Sequence, residues 1–520
     1  MPRRALVACL ALSSTACVLG PNYKRPAAPV PSAFKEAAGE PAPAGGGWKT
    51  AEPADEADRG KWWKIFGDPG LDALEEQVAV SNQTIAQAEA QFRAARAGVR
   101  LARADLFPVA DVGASGTRSS GVTNRAAAPA NGPPPAISTV ALSGELSWAP
   151  DLFGRVRRTV EASVASAQAS AADLESVRLA MHAELAVDYF TLRGLDAETR
   201  LLDTTVKADE LALSITTNRY KQGVVSGVDV AQAETLLETT RAQAIDLQVA
   251  RAQVEHAIAV LVGRPPAELS LPPEEVVVQP PPIPLVVPSE LLERRPDLAV
   301  AERRVAAANA GIGVAKAAFF PTLGLSASGG FQGTALSGLF SLPNRFWSLG
   351  GSLAETLFEG GKRRAASAQA VAAYDATVAA YRESVLGAFQ EVEDGLAALR
   401  ILAQEADQQA KAVAAAEHLL ALSKNRYQAG ITTYLEVVTA QSAALSNERT
   451  AVQLLTRRMT ASVSLLGALG GGWRETDLPS PGAILARAPS PKAEPSAPAL
   501  PPAVRAERDP RSAARVDRAE

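Results

Sequence analysis

The chain is expected to be mainly helical and internally duplicated, and to contribute four membrane strands to a β-barrel that one copy cannot close. Three observations lead there. The phrase NRYKQGVVSGVDVAQAE at Asn218–Glu234 returns as NRYQAGITTYLEVVTAQ at Asn425–Gln441, an offset of about 207 residues, far too long for a solenoid repeat. ARADLFPVADVGASG and AKAAFFPTLGLSASG form a second pair, about 213 residues apart. After each FP step the hydrophobic period changes to two, whereas Arg155–Gly263 and Lys362–Leu469 contain no proline and are rich in helix formers.

Composition supports long helices over thick cores. Of 520 residues, 47% are hydrophobic, resting mainly on alanine, and only 5% are aromatic. The net charge of -4 is small and no Lys/Arg stripe stands out, so electrostatics gives no reason to expect nucleic acid as a partner.

In chain order, residues 1–16 of MPRRALVACLALSSTAC read as an export signal. Arg3 and Arg4 are its basic start, Ala5 to Leu12 its apolar stretch, and Ala16 the small residue before Cys17. Two readings of Cys17 stand side by side: a lipobox, with cleavage before Cys17 and lipidation of its thiol, or an ordinary signal with an incidental cysteine. Ser14 stands where such boxes usually carry Leu. The second cysteine, Cys9, lies inside the signal, which leaves no intrachain disulfide. No later segment has about 18 uninterrupted apolar residues. Residues 17–66, rich in Pro, Ala and Gly, read as a linker.

The first repeat, 67–263, opens with a helix from Leu71 to Leu106, stopped at Phe107-Pro108. A β-hairpin within 108–149 follows, with strands Val109–Thr117 and Val140–Trp148 around a loop at Ser119–Ser138. In Val140–Trp148, Val140, Leu142, Leu146 and Trp148 alternate with polar or small residues, giving one greasy and one wet face. A long helical hairpin then turns near 220–229. Residues 264–288 are a Pro-rich, mostly extended crossover. The second repeat, 289–472, restates the plan: a helix from Ser289 to Phe320, a β-hairpin within 321–358 (strands Leu323–Phe331 and Trp347–Leu357, loop Gln332–Asn344), and a helical hairpin turning near 427–436. Residues 473–520 have the composition of a disordered tail.

Each long arm, such as Arg155 to Gln222, spans about 100 Å as a helix. Leu185, Tyr189, Leu192, Leu195, Leu202 and Val206 give it an apolar stripe. A soluble coiled coil explains the arms equally well but not the strands. Gly223 and Gly430 supply the left-handed residue that ends each arm, and Asp229 and Glu436 follow at equivalent positions, where an acid also favours a helix N-terminus. Four strands with a lipid-compatible face cannot close a barrel, for which about eight is the practical minimum, and open edges are not tolerated in a bilayer. The chain must therefore oligomerise, and strands continuing into long helices make a conduit ringed at its far end by the tips.

The lipobox followed by VLGPNYKRP (Val18 to Pro26), the two FP strand starts, the paired NRYxxG tips and the closing LLGALGGGW (Leu465 to Trp473) resemble TolC-like outer-membrane factors, specifically the NodT lipoprotein branch serving resistance-nodulation-division efflux pumps. The resemblance covers all but the C-terminal tail. It implies a homotrimer with a twelve-stranded barrel above an α-barrel, lipid-anchored in the outer membrane and reaching into the periplasm. It also implies a periplasmic membrane-fusion adaptor docked on the tips and an inner-membrane resistance-nodulation-division transporter. Carried over by position, the acids of the periplasmic gate fall on Asp229 and Glu436; a further acidic gate position of some relatives falls on Thr439, which is uncharged. Gly223, Val224, Val225, Gly430, Ile431 and Thr432 match the adaptor-contacting turns, and Arg219, Tyr220, Arg426 and Tyr427 stand where they brace the tips, the arginines by pairing with acids.

No catalytic or cofactor chemistry is expected. His182, His256 and His418 occur singly without ligand spacing and read as packing or surface residues, so no metal site is assigned. Ser32-Ala33-Phe34-Lys35 fits SxxK without its companion motifs, and Gly311-Ile312-Gly313 lacks the third glycine of a dinucleotide loop. Glu391, Glu393 and Asp394 read as solvated helix carboxylates. Only three methionines occur, which argues against a methionine relay for copper or silver. The expected function is an exit duct of a tripartite efflux pump; the alternatives are a duct for type I protein secretion and a structural periplasmic coiled-coil lipoprotein.

Overall fold

A computed structural model of the chain describes residues 18–36, 61–120, 136–274, 279–283 and 288–486. The signal, Cys17 and residues 487–520 lie outside them. The helix expected over Leu71–Leu106 is two helices, α1 (Pro69–Ser81) and α2 (Gln83–Ala104). Asn82 breaks it: its side-chain oxygen accepts from the N–H groups of Thr84 and Ile85 at 2.9 and 3.0 Å, and its Nδ2 donates to Leu261 O at 2.8 Å. A capping asparagine held by a distant carbonyl outcompetes helix continuation. Strands β1 (Val109–Ser120) and β2 (Ala136–Trp148) follow, then the helical hairpin α3 (Arg155–Lys221) and α4 (Gly227–Leu261).

The second repeat departs from expectation in the same place. Its first helix is α5 (Pro288–Arg294) and α6 (Pro296–Ala317), because Arg295, preceding a proline, is held extended at φ -102°, ψ 119°. Then come β3 (Thr322–Gly333), β4 (Arg345–Ala354), α7 (Lys362–Gln428) and α8 (Tyr434–Ala468). Helices α3 and α7 are both 67 residues long, and α4 and α8 both 35, so the duplication extends to the length of each arm. Among the described residues, no helix is long and apolar enough to cross a membrane.

The four strands form one antiparallel sheet in the order β1-β2-β3-β4. The register places Leu146 beside Ala327 and Ala327 beside Leu349 in an apolar row, while Asp111, Glu145, Ser328 and Ser348 align in a polar one. Strands reach further into the connections than expected, to Ser120, Ala136 and Gly333, and β4 ends at Ala354, short of Leu357. Trp347, Leu349 and Leu353 are 72, 73 and 71% exposed, so nothing within one copy covers the greasy face. At the sheet base, Phe153 and Phe320 stack at 4.9 Å and join the junctions of the two repeats.

The core lies midway along the long helices. Leu185, Tyr189, Phe190 and Leu192 of α3 pack with Tyr381, Val385 and Val392 of α7, Leu465 of α8, and Trp63 and Phe66 from a 3₁₀ turn at Trp62–Phe66. The expected linker does not run free: of its described residues, 61–66 reach the core through Trp63 and Phe66, and 18–36 are bound along the helices. Arg158 donates to Leu19 O and Gly20 O, Tyr23 bonds Glu302, and Phe34, 3% exposed, packs on Phe389. A Cβ on Gly20 would lie 2.5 Å from Gly313 Cα, so glycine at 20 and 313 permits the crossing of strap and helix. Two carboxylates expected to be solvated have partners: Glu393 accepts from the N–H groups of Lys35 and Glu36 at 2.7 and 2.9 Å, and Glu391 pairs with Arg295 at 2.7 Å. The start of the expected tail is folded too: α9 (Pro481–Leu485) buries Ile484, and Gln168 donates to Pro479 O.

His182 is a core residue, stacked on Trp63 at 4.6 Å, with its Nδ1 2.6 Å from Oε2 of fully buried Glu75. Burial, helped by Asp72, pushes the Glu75 carboxyl up to about 9, and burial, helped by Arg178, pulls His182 down to about 4. Both are neutral at physiological pH, so Glu75 donates to the imidazole. An unfolded glutamate ionises at about pH 4.3, so Glu75 costs stability as pH rises from there toward about 9; the depressed His182 offsets this up to about 6.5, and the net loss falls between about 6.5 and 9. Glu75→Gln keeps a donor without that loss, and it is expected to raise the melting temperature in alkaline buffer and leave it unchanged in acid; equal shifts in both would refute the neutral pair. Phe34→Ala is expected to forfeit about 3–5 kcal/mol of packing and release the strap, seen as faster tryptic cleavage at Lys35 while α3 and α7 stay protected.

Candidate functional site at the hairpin tips

Both arms end in the same backbone device. Gly223 and Gly430 take φ of 75° and 72°, in the left-handed region that favours glycine. The N–H of Val224 donates to Arg219 O and that of Gly223 to Tyr220 O, at 2.9 and 2.8 Å; Ile431 donates to Arg426 O and Gly430 to Tyr427 O, at 2.9 and 3.0 Å. This paired pattern closes a helix C-terminus while satisfying its last carbonyls. Beyond each glycine stands one bare apolar side chain, Val224 at 59% and Ile431 at 69% exposure, with Val225 and Thr432 half-buried behind them. Val228 and Leu435, which sequence reasoning missed, add 64 and 56% exposed positions on the next turn. Aligning the two copies would have found them, since 228 and 435 are equivalent and both aliphatic.

The two acids occupy equivalent positions but are used differently. The Asp229 carboxylate accepts from the Ser226 N–H at 3.1 Å, capping α4. Glu436 instead pairs with Arg426 at 3.6 Å, both about half exposed, within the second hairpin. The pairing of Arg219 with an acid is corrected: its guanidinium lies over the Tyr427 ring, 4.7 Å from the centroid, reaching from the first hairpin to the second. An arginine beside an aromatic face gains a cation–π contact with little loss of hydration. The Tyr427 ring meets Tyr434 at a tilt, 5.2 Å between centroids, and Tyr434, 3% exposed, packs with Ala233 and Val437. Burial, with Asp209 and Tyr427 next, pushes the Tyr434 hydroxyl up to about 12. Tyr220 is half exposed against Gly227.

Tyr434 also escaped the sequence reading. It stands where the first copy has Gly227, a change from no side chain to a large one, and that substitution builds the contact between hairpins. Among the described residues no cluster of three or more His, Cys, Asp or Glu could hold a metal. Asp229→Ala removes the N3 half of the capping box around Ser226 and is expected to speed hydrogen exchange in the first turn of α4. Asp229→Asn, which removes the charge but keeps the acceptor, is expected to leave that exchange unchanged.

The family described as Outer membrane efflux protein matches residues 74–264 and 287–471. The chain is 33% identical over 473 residues to the probable efflux pump outer membrane protein TtgC of Pseudomonas putida, covering 90% of this chain and 96% of that protein. It is 28% identical over 480 residues to the cation efflux system protein CusC of Escherichia coli, covering 91% and 100%. Among solved structures, the outer-membrane channel OprN superposes with a TM-score of 0.79 at 30% identity, covering 88% of this chain and all of that one.

Proposed function

Because the chain belongs to the outer membrane efflux protein family and is the outer-membrane exit duct of an efflux pump, we propose that its hairpin tips are both the gate of the duct and its docking surface. The duct is a homotrimer in which three four-stranded sheets close a twelve-stranded barrel and the long helices form the α-barrel below. The observation that carries the proposal is the duplicated tip: each copy ends about 100 Å from the sheet, at about 1.5 Å per residue, in a left-handed glycine, one bare aliphatic residue and one acid.

In the trimer, three copies of Asp229 and Glu436 surround the axis. Like charges on a narrowing pore repel and draw cations, so the acids set both the ease of opening and the ionic preference of the closed duct. Val224 and Ile431, with Val225, Thr432 and the flat backbone at Gly223 and Gly430, form the surface that a periplasmic adaptor covers, since burial of aliphatic side chains rewards a partner there. The adaptor links the duct to an inner-membrane resistance-nodulation-division transporter, which chooses the small-molecule substrate. Lipidation at Cys17 anchors the strap: Leu19 donates to Phe153 O at 3.4 Å, and Phe153 stands at the sheet base. No catalytic step is assigned to any residue.

Single-channel recording of the purified trimer in planar bilayers tests the gate. The wild type is expected to give a small, cation-selective conductance that rises or loses selectivity in Asp229→Ala with Glu436→Ala. A pore indifferent to both changes moves the gate elsewhere, and inserted trimers that carry no current end the duct reading. For docking, Val224→Asp with Ile431→Asp is expected to restore drug sensitivity to cells that depend on this duct, with normal amounts of trimer in the outer membrane.

A further inference from the structure

Behind the tips lies a buried carboxyl that neither gate nor docking surface uses. Asp209 of α3 is 1% exposed, about 18 Å from the first tip at about 1.5 Å per residue. Its Oδ1 accepts from Nε2 of Gln441 on α8, and its Oδ2 lies 3.0 Å from Oγ1 of Thr240 on α4. Gln441 and Thr240 are themselves 7 and 2% exposed. One carboxyl thus joins three helices and both repeats.

The hydrogens allow two states. Thr240 Oγ1 is also 3.0 Å from Leu236 O, yet a hydroxyl has one hydrogen to donate. An ionised Asp209 accepts from both Thr240 and Gln441, while Leu236 O keeps its partner within the helix. A protonated Asp209 instead donates its Oδ2–H to Thr240, Thr240 turns to Leu236 O, and Gln441 still donates to Oδ1. Burial favours the protonated state, moving this carboxyl above the ordinary aspartate range against its bonds to Thr240 and Gln441 and the charge of Lys424 on α7. Asp209 in turn acts on the Tyr434 hydroxyl of α8, helping to raise it.

We propose that Asp209 is a positioning residue for the closed duct, a pin that holds the second hairpin, through Gln441, to the first, through Thr240. The proposal rests on the exit-duct reading and adds to it the place where the hairpins part. Opening withdraws Gln441 and lets water reach Asp209, which then regains its ordinary acidity. Ionisation therefore favours the open duct and protonation the closed one, so acidification closes it.

The test is the open fraction of the purified trimer in planar bilayers, in near-neutral and mildly acidic buffer. Gln441→Leu, which keeps the volume but not the donor, and Asp209→Ala are expected to raise it roughly five- to tenfold, the usual worth of one lost hydrogen bond. The wild type is expected to close on acidification. Asp209→Asn reproduces the protonated pattern, accepting from Gln441 and donating to Thr240, and is expected to stay as closed as the acidified wild type and to lose the pH response. Asp229→Ala with Glu436→Ala is expected to keep that response, which separates the pin from the tip acids. An open fraction unchanged by Gln441→Leu, or an Asp209→Asn that opens like Asp209→Ala, overturns the pin while leaving the duct in place. Trimers that insert and pass no current overturn both.

Discussion

A bilayer offers no water to an unpaired backbone amide, and the architecture follows from that constraint. The sheet ends at β1 and β4, each with one edge unpaired within the chain. An edge of this kind in hydrocarbon leaves several kcal/mol per group unmet. Closure by further copies removes both edges at once, and three copies of a four-stranded sheet close the barrel. The strand order then places the two β-hairpins of each copy side by side, with the helix starts beneath them spaced by the sheet. Phe153 against Phe320 locks that spacing where strand becomes helix.

Helices about 100 Å long with few aromatic residues need ties along their length, and the structure supplies them at mid-height. The core around Tyr189, Phe190 and Tyr381 joins both repeats. Around it run polar ties: Arg193 bonds Asp196, Pro272 O and Glu274, and Arg251 bonds Asp196 and Leu271 O, fastening the crossover to α3 and α4. Buried ion pairs of this type add little net stability over an apolar replacement, but losing one partner is costly, so they specify where the crossover lies. The N-terminal strap is a second tie, running from Phe153 at the sheet base to Arg400 on α7.

Toward the tips the two copies diverge, and the divergence has a mechanical use. The first copy has Gly227 and a self-capped Asp229; the second has Tyr434 and a Glu436 drawn to Arg426. Two identical hairpins could lie side by side with no preferred contact. Tyr434 fills the space against Ala233, and Arg219 crosses to Tyr427. Aromatic and cation–π contacts of this sort are each modest, which suits the gate proposed for the tips.

Much of this was legible in the sequence because it is local or repeated. The change of period at Phe107-Pro108 and Phe320-Pro321, the proline-free arms, the left-handed glycines at 223 and 430 and the two aligned phrases all act within a few residues or recur at one offset. The need for further copies was legible too, since four strands cannot close. Asn82 breaks a helix because Leu261 holds its side chain; residues 18–36 are a strap because Arg158, Glu302 and Glu393 wait for them; Arg219 turns to a ring because the other hairpin brings Tyr427 within reach. Asp209 reads in the sequence as one more helix carboxylate. By itself the sequence determined the long helical arms, the four strands, the turns at the tips and that they come twice, since periodicity and chain stiffness are properties of neighbours. Only the tertiary structure decided which polar groups are buried and with whom, since a hydrogen bond between residues 209 and 441 has no local signature.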